Sequence, residues 1–190
     1  MPVELPILPF KTQRAFGAWL KKNHGQSPGV WLKLAKQGAS PSVTYAQALE
    51  EALCYGWIDG QKKGFDEHWW LQKFTPRGPR SIWSKINREK ALALIGAGRM
   101  QPAGQAAIDA AQKNGRWDAA YDSQRTAGLP ADFQAELDRR PKAKAFYATL
   151  NSANRYAIHF RLHSAKKPET RARRLRQFLD MLENGEKFFP

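Results

Sequence analysis

Residues 55–84, YGWIDGQKKGFDEHWWLQKFTPRGPRSIWS, decide how the rest of the chain is read. Trp57 to Lys63 predicts a strand and His68 to Phe74 its return, with Gly64-Phe65-Asp66-Glu67 at the turn. Strand alternation puts Trp57, Asp59 and Gln61 on one face and Ile58 on the other. The hairpin leads into a loop stiffened by Pro76 and Pro79, in which Arg77 and Arg80 offer planar donor forks suited to phosphate or carboxylate. Ser84 is placed to cap a helix from Lys85 to Ile95, and Ser81 precedes it. Four of the seven tryptophans, Trp57, Trp69, Trp70 and Trp83, fall in this stretch.

Upstream, Phe16, Trp19 and Leu20 at helical spacing predict a first helix over residues 11–23, with Lys21 and Lys22 where cations suit the helix dipole. It is entered from the proline-punctuated arm Pro6 to Pro9. Val30 to Lys36 reads as a strand. Thr44 and Gln47 form a capping box for a helix carrying Tyr45, Leu49, Ala52 and Leu53 on one face, stopped by Gly56. Downstream, Pro102 opens an alanine-rich helix to Lys113, ended by Asn114-Gly115. A turn-rich connector from Asp118 to Gly128 separates this part from an all-helical remainder. There, helices are expected over Asp132–Leu137, Lys142–Leu150, Ser152–Ala165 and Pro168–Glu183. The expected architecture is α+β: a small antiparallel sheet packed with helices over residues 1–125, then a helical C-terminal lobe over 126–190.

The charge pattern narrows the partners. The chain carries 31 basic and 17 acidic residues, a net charge of +14. The excess is concentrated: residues 61–99 hold 9 basic and 3 acidic groups, and residues 139–176 hold 12 and 1. Such clustering favours an anionic partner. One candidate is a small phosphate- or carboxylate-bearing molecule held by Arg77, Arg80, Ser81 and Ser84 with Trp57, Asp59 and Trp83 beside them. The bland reading of the same residues is a capped helix start whose arginines pair with Asp59, Asp66 or Glu67. The second candidate is nucleic acid on a C-terminal face of Arg139, Arg140, Lys142, Lys144, Lys166, Lys167, Arg173 and Arg176. A third uses Asp59 and His68 as an acid–base pair of a small enzyme.

Leu137, Pro141, Phe146, Leu150, Arg155, the run Ala165-Lys166-Lys167-Pro168-Glu169-Thr170-Arg171-Ala172-Arg173-Arg174 and Leu182-x-x-Gly185 resemble the C-terminal domain of the bacteriocin-protection, YdeI/OmpD-associated family. Ala52 to Gly60, Phe74 to Arg77 and Ser81 to Ser84 resemble the N-terminal portion of its longer members. The resemblance implies a bacterial protein with a bacteriocin- or stress-protection role; porin association enters through the family name alone. It brings no assigned catalytic residue.

No Walker loop, dinucleotide glycine fingerprint or Gly-x-Ser-x-Gly elbow occurs, so no catalytic residue is expected and the chain leans toward binding. His159 and His163 have the i, i+4 spacing of two metal ligands, but no Glu lies between them, Arg155 and Arg161 crowd them, and no cysteine can complete a site. No metal and no cofactor are expected. The single Cys54 excludes an internal disulfide and fits a reducing compartment. Met1 to Pro6 shows no basic-then-apolar leader and no apolar run approaches the roughly 20 residues of a membrane span, so a cytoplasmic location is expected. The sequence names neither the ligand nor the oligomeric state.

Overall fold

The computed structural model describes residues 4–190; Met1–Val3, at the head of the segment expected to lack a leader, lie outside the described residues. The chain divides into two compact units, one ending at Ala120 and the other spanning Tyr121–Pro190.

In the first unit the order is β1 (Ile7–Pro9), α1 (Gln13–Asn23), β2 (Val30–Ala35), α2 (Tyr45–Cys54), β3 (Trp57–Gly64), β4 (Trp69–Pro76), α3 (Lys85–Gly96) and α4 (Pro102–Lys113). The strands form one sheet in the order β1-β2-β4-β3. The expected antiparallel sheet is present as β2, β4 and β3, and β1 adds a parallel edge to β2, so the whole is mixed. The proline arm conceals this strand. Prolines are tolerated at a sheet edge, where no ladder donor is lost.

Alternation in β2 puts Val30, Leu32 and Leu34 on the inner face, opposite Phe74, Gln72 and Trp70 of β4. These join Phe16 and Leu20 of α1 and Leu49, Ala52 and Leu53 of α2 in one apolar cluster. Burying each such large side chain contributes roughly 1.5–3 kcal/mol. Gln72 is buried among them, and its Nε2 donates to the Gly60 carbonyl at 2.9 Å and the Gln61 carbonyl at 3.2 Å. That bond satisfies a bulge between Asp59 and Lys62, where strand alternation breaks. Trp57 and Asp59 share the inner face as expected, while Gln61 falls inside the bulge.

The Thr44–Gln47 capping box forms in both directions, with Gln47 N–H to Thr44 Oγ1 at 3.3 Å and Thr44 N–H to Gln47 Oε1 at 3.0 Å. Gly56 ends the turn after α2 at φ +72°, and any side chain there would meet the Ala103 carbonyl of α4. This close approach brings α4 against α2.

The second unit contains α5 (Ala131–Asp138), α6 (Pro141–Thr149), α7 (Ser152–His163) and α8 (Pro168–Glu183) around Phe133, Leu137, Ile158, Leu162, Phe178, Leu179 and Leu182. Asn151 caps α7 by accepting the Asn154 N–H at 2.9 Å. Buried Asn154 in turn accepts the N–H groups of Phe188 and Phe189 at 2.9 and 3.0 Å, which ties the C-terminal segment to α7. Arg171 sits on the apolar side of α8 and makes a two-pronged ion pair with Asp132, at 2.8 and 2.7 Å. No helix among the described residues is long and apolar enough to cross a membrane.

Candidate anion pocket

The proline-stiffened loop is held at both ends. Arg77 N–H donates to the Gly56 carbonyl at 2.9 Å, fastening the loop to the start of the hairpin. Gly78 and Ser81 close a tight turn, with Ser81 N–H to Gly78 O at 2.9 Å and Gly78 N–H to Ser81 Oγ at 3.0 Å. Beyond it, Ser84 Oγ accepts the Asn87 N–H at 3.2 Å and starts α3. The hairpin and α3 thereby set the position of every group between them.

Within the loop, the Arg77 guanidinium lies over the Trp83 ring, 3.5 Å from its centroid, and donates through Nη1 to the Ile82 carbonyl at 3.0 Å. Trp83 is buried and meets Trp117 edge-on at 4.8 Å. A planar cation on an indole face is attractive by roughly 0.5–2 kcal/mol and fixes the fork in one plane.

A cavity of about 150 Å³ opens beside this stack. Its wall comprises Arg77, Ser81 and Trp83 from the loop, Ala107, Ala110 and Ala111 from α4, and Asn114 and Arg116 from the turn after α4. Arg116 donates through Nη1 to the Pro79 carbonyl, so a second guanidinium crosses the opening. The turn is shaped by Gly115 at φ +72° and by the Ala111 carbonyl, which accepts the N–H groups of Arg116 and Trp117 at 2.9 and 3.1 Å. Small alanines on α4 leave the volume empty where larger residues would fill it.

Of the residues singled out in the sequence, Arg77, Ser81 and Trp83 come together here. Ser84 is spent on capping α3. Arg80 is exposed and, among the described residues, makes no hydrogen bond or ion pair and does not line the cavity. Trp57 is buried on the inner sheet face, with its Nε1–H donating to the His24 carbonyl at 3.1 Å. Asp59 accepts the Tyr45 hydroxyl at 2.8 Å, and Asp66 accepts the N–H groups of His68 and Trp69, each at 2.8 Å. Asp59 pairs with Phe74 near the end of β4, whereas His68 precedes its start, so roughly 20 Å of strand separates them. The acid–base pair does not assemble.

Arg116 was not singled out in the sequence. It lies 37 positions from the Pro79 carbonyl it reaches, and only the Asn114-Gly115 stop beside it marks a turn. Cys54, at the end of α2, is buried, and desolvation with the neighbouring Glu51 pushes its thiol up to about 11. It is no nucleophile at neutral pH.

In the second unit, Arg139 pairs with Glu136 at 2.7 Å, Arg140 with Asp180 at 2.9 Å and Lys144 with Asp138 at 2.8 Å. Lys142, Lys166, Lys167, Arg173 and Arg176 are exposed and make no ion pair among the described residues. His159 and His163 stack with ring centroids 6.0 Å apart, and His159 Nδ1 lies 2.6 Å from the Gly128 carbonyl. Among the described residues no group of three or more His, Cys, Asp or Glu is placed to hold a metal ion.

Residues 8–107 match the family described as Domain of unknown function (DUF8412), and residues 126–185 match the family described as Bacteriocin-protection, YdeI or OmpD-Associated. No curated protein and no solved structure matches the chain. The first match spans more than half of the 190 residues and includes the hairpin, the arginine loop and the start of α4. The chain belongs to the DUF8412 family and carries a C-terminal domain of the bacteriocin-protection, YdeI or OmpD-associated family.

Proposed function

We propose that the chain is a non-catalytic binding protein for a small phosphate- or carboxylate-bearing ligand, and that this binding underlies a bacteriocin- or stress-protection role in the cytoplasm. The observation that carries the reading is the convergence of Arg77, stacked on Trp83, and Arg116, from a distant turn, on one cavity with Ser81 and Asn114. Fixed guanidinium forks suit carboxylate and phosphate because both partners are planar or tetrahedral arrays of acceptors. The carbonyl end of α4 lies on the same wall and repels an anion with roughly half a unit charge, which one guanidinium alone outweighs. At about 150 Å³ the cavity is smaller than the sites of drug-sized ligands, so it fits a free small anion or one anionic group of a larger molecule.

Calorimetric titration of the full chain with inorganic phosphate, sulfate and acetate tests this. Arg116→Gln is expected to weaken binding at least tenfold while leaving the unfolding midpoint within a degree or two. Equal affinity in the variant, or no heat from any of the three anions at low salt, would refute the reading.

A second reading, nucleic acid on the C-terminal face, is favoured by five exposed cations, Lys142, Lys166, Lys167, Arg173 and Arg176, that make no ion pair among the described residues. It predicts affinity that falls steeply with salt and falls further in Lys166→Gln/Lys167→Gln.

A further inference from the structure

The outer face of the sheet has a composition that neither reading above uses. In the first unit α1 and α2 cover the inner face, and α3 and α4 pack on α2. The outward residues are left to one another and to the hairpin turn, where the Asp66 carboxylate lies 3.9 Å from Lys33 Nζ. Register places Trp31 and Lys33 of β2, Leu71 and Lys73 of β4, and Lys63 of β3 on this side, with Trp69 at the start of β4.

The lysines lie across the rings. Lys63 Nζ sits 4.4 Å from the Trp31 ring centroid and Lys73 Nζ 6.0 Å from it. Lys33 Nζ lies 4.5 Å from the exposed Phe65 ring and 4.9 Å from the Trp69 ring. Leu71 is only 1% exposed yet belongs to neither apolar cluster. By register its neighbours on this face are Lys33 and Lys63 on the paired strands and Trp69 and Lys73 along β4, side chains whose apolar parts are long enough to cover it.

We propose that this face is a binding platform for single-stranded nucleic acid. Bases would stack on Trp31 and on the Trp69–Phe65 pair, displacing the ammonium groups, which turn to the phosphates. The two ring positions lie four residues apart along paired strands, about 14 Å from the strand rise and spacing, so they form separate stacking positions on one track. Aromatic platforms on a sheet, flanked by cations, bind single strands because every base has a π-face and every linkage a charge. A duplex buries its base faces and cannot use them. A net charge of +14 supplies the long-range attraction.

Fluorescence anisotropy of a labelled oligothymidylate of about 15 nucleotides, titrated with the full chain at low and moderate salt, tests the proposal. Trp31→Ala and Trp69→Ala should each weaken binding roughly 5- to 150-fold, the range for losing one stacked base. Since either change could loosen the sheet, Lys33→Gln/Lys63→Gln/Lys73→Gln supplies a second reading that leaves the rings in place. It should weaken binding and flatten the salt slope by about 2, at roughly 0.7 per lost phosphate contact. Lys21→Gln/Lys22→Gln, exposed on α1 and away from this face, should leave affinity nearly unchanged, whereas Lys166→Gln/Lys167→Gln weakens it only if the C-terminal face is the binding surface. The proposal is overturned by absence of binding at low salt, by tighter binding of a duplex of equal length, by equal competition from polyglutamate, or by loss that follows the C-terminal lysines instead of the sheet residues.

Discussion

Gly104, in the middle of the first turns of α4, tests how the pocket wall is positioned. A Cβ placed there lands on the Cys54 carbonyl at the end of α2, 2.8 Å from its carbon and closer still to its oxygen, and also overlaps Met100 Sδ. Met100 could swing away, but the carbonyl is backbone and already accepts the Gln101 N–H at 3.1 Å. Gly104→Ala gains up to about 1 kcal/mol of helix propensity. Against that stand overpacking of about 1–3 kcal/mol and a weakened hydrogen bond of about 1 kcal/mol. The clash wins, and the net loss is about 1–3 kcal/mol. With a urea slope near 2 kcal/mol/M, the unfolding midpoint should fall by roughly 1 M. All seven tryptophans lie in the first unit, so their fluorescence follows this unit alone. Gly96→Ala is the control, because nothing lies within 4 Å of that position and its stability should hold or rise slightly. If Gly104→Ala matched or exceeded the parent protein, the close packing of α4 on α2 would be refuted.

Three further outcomes follow from the second unit and from α2. The Arg171 guanidinium, hydrogen-bonded to Asp132, holds that carboxyl below its ordinary range. A depressed folded-state value stabilises above the unfolded value near 4 and is lost as pH falls through the folded one, so the pair contributes at neutral pH and not in strong acid. Arg171→Gln should cost about 1 kcal/mol at pH 7, the pair being partly solvated, and the difference should shrink below about pH 4 in urea titrations followed by circular dichroism. Asn154→Ala removes the acceptor for two N–H groups of the C-terminal segment and should cost about 2 kcal/mol, with faster hydrogen exchange at Phe188 and Phe189. Cys54, with its thiol raised to about 11, should resist iodoacetamide at pH 8 in the folded protein and react at the rate of a free thiol in urea.

Local structure was legible wherever one residue type has one physical use. The Thr44–Gln47 box, the Ser84 cap, and Gly56, Gly115 and Gly185 at positive φ all stand where the sequence places stops and starts. The short parallel strand β1 was not legible, because a three-residue edge flanked by prolines shows no alternation to read. The bulge after Asp59 was hidden for a related reason: its compensation comes from Gln72, eleven or twelve positions away. In the pocket, Arg77, Ser81 and Trp83 could be grouped because the loop itself holds them together. Arg116 could not, since its place depends on where α4 ends in space. The lysine-covered outer face needed the strand register, which alternation alone does not supply.

An anion site formed by Arg77 and Arg116 together would hold a tetrahedral oxyanion between the two guanidinium groups. Diffraction from crystals grown with selenate, recorded at the selenium edge, tests it most directly. An anomalous peak is expected in the cavity within hydrogen-bond distance of both guanidinium groups, lost in Arg116→Gln. Anomalous density confined to other surface cations, with this cavity unoccupied at saturating selenate, would contradict it.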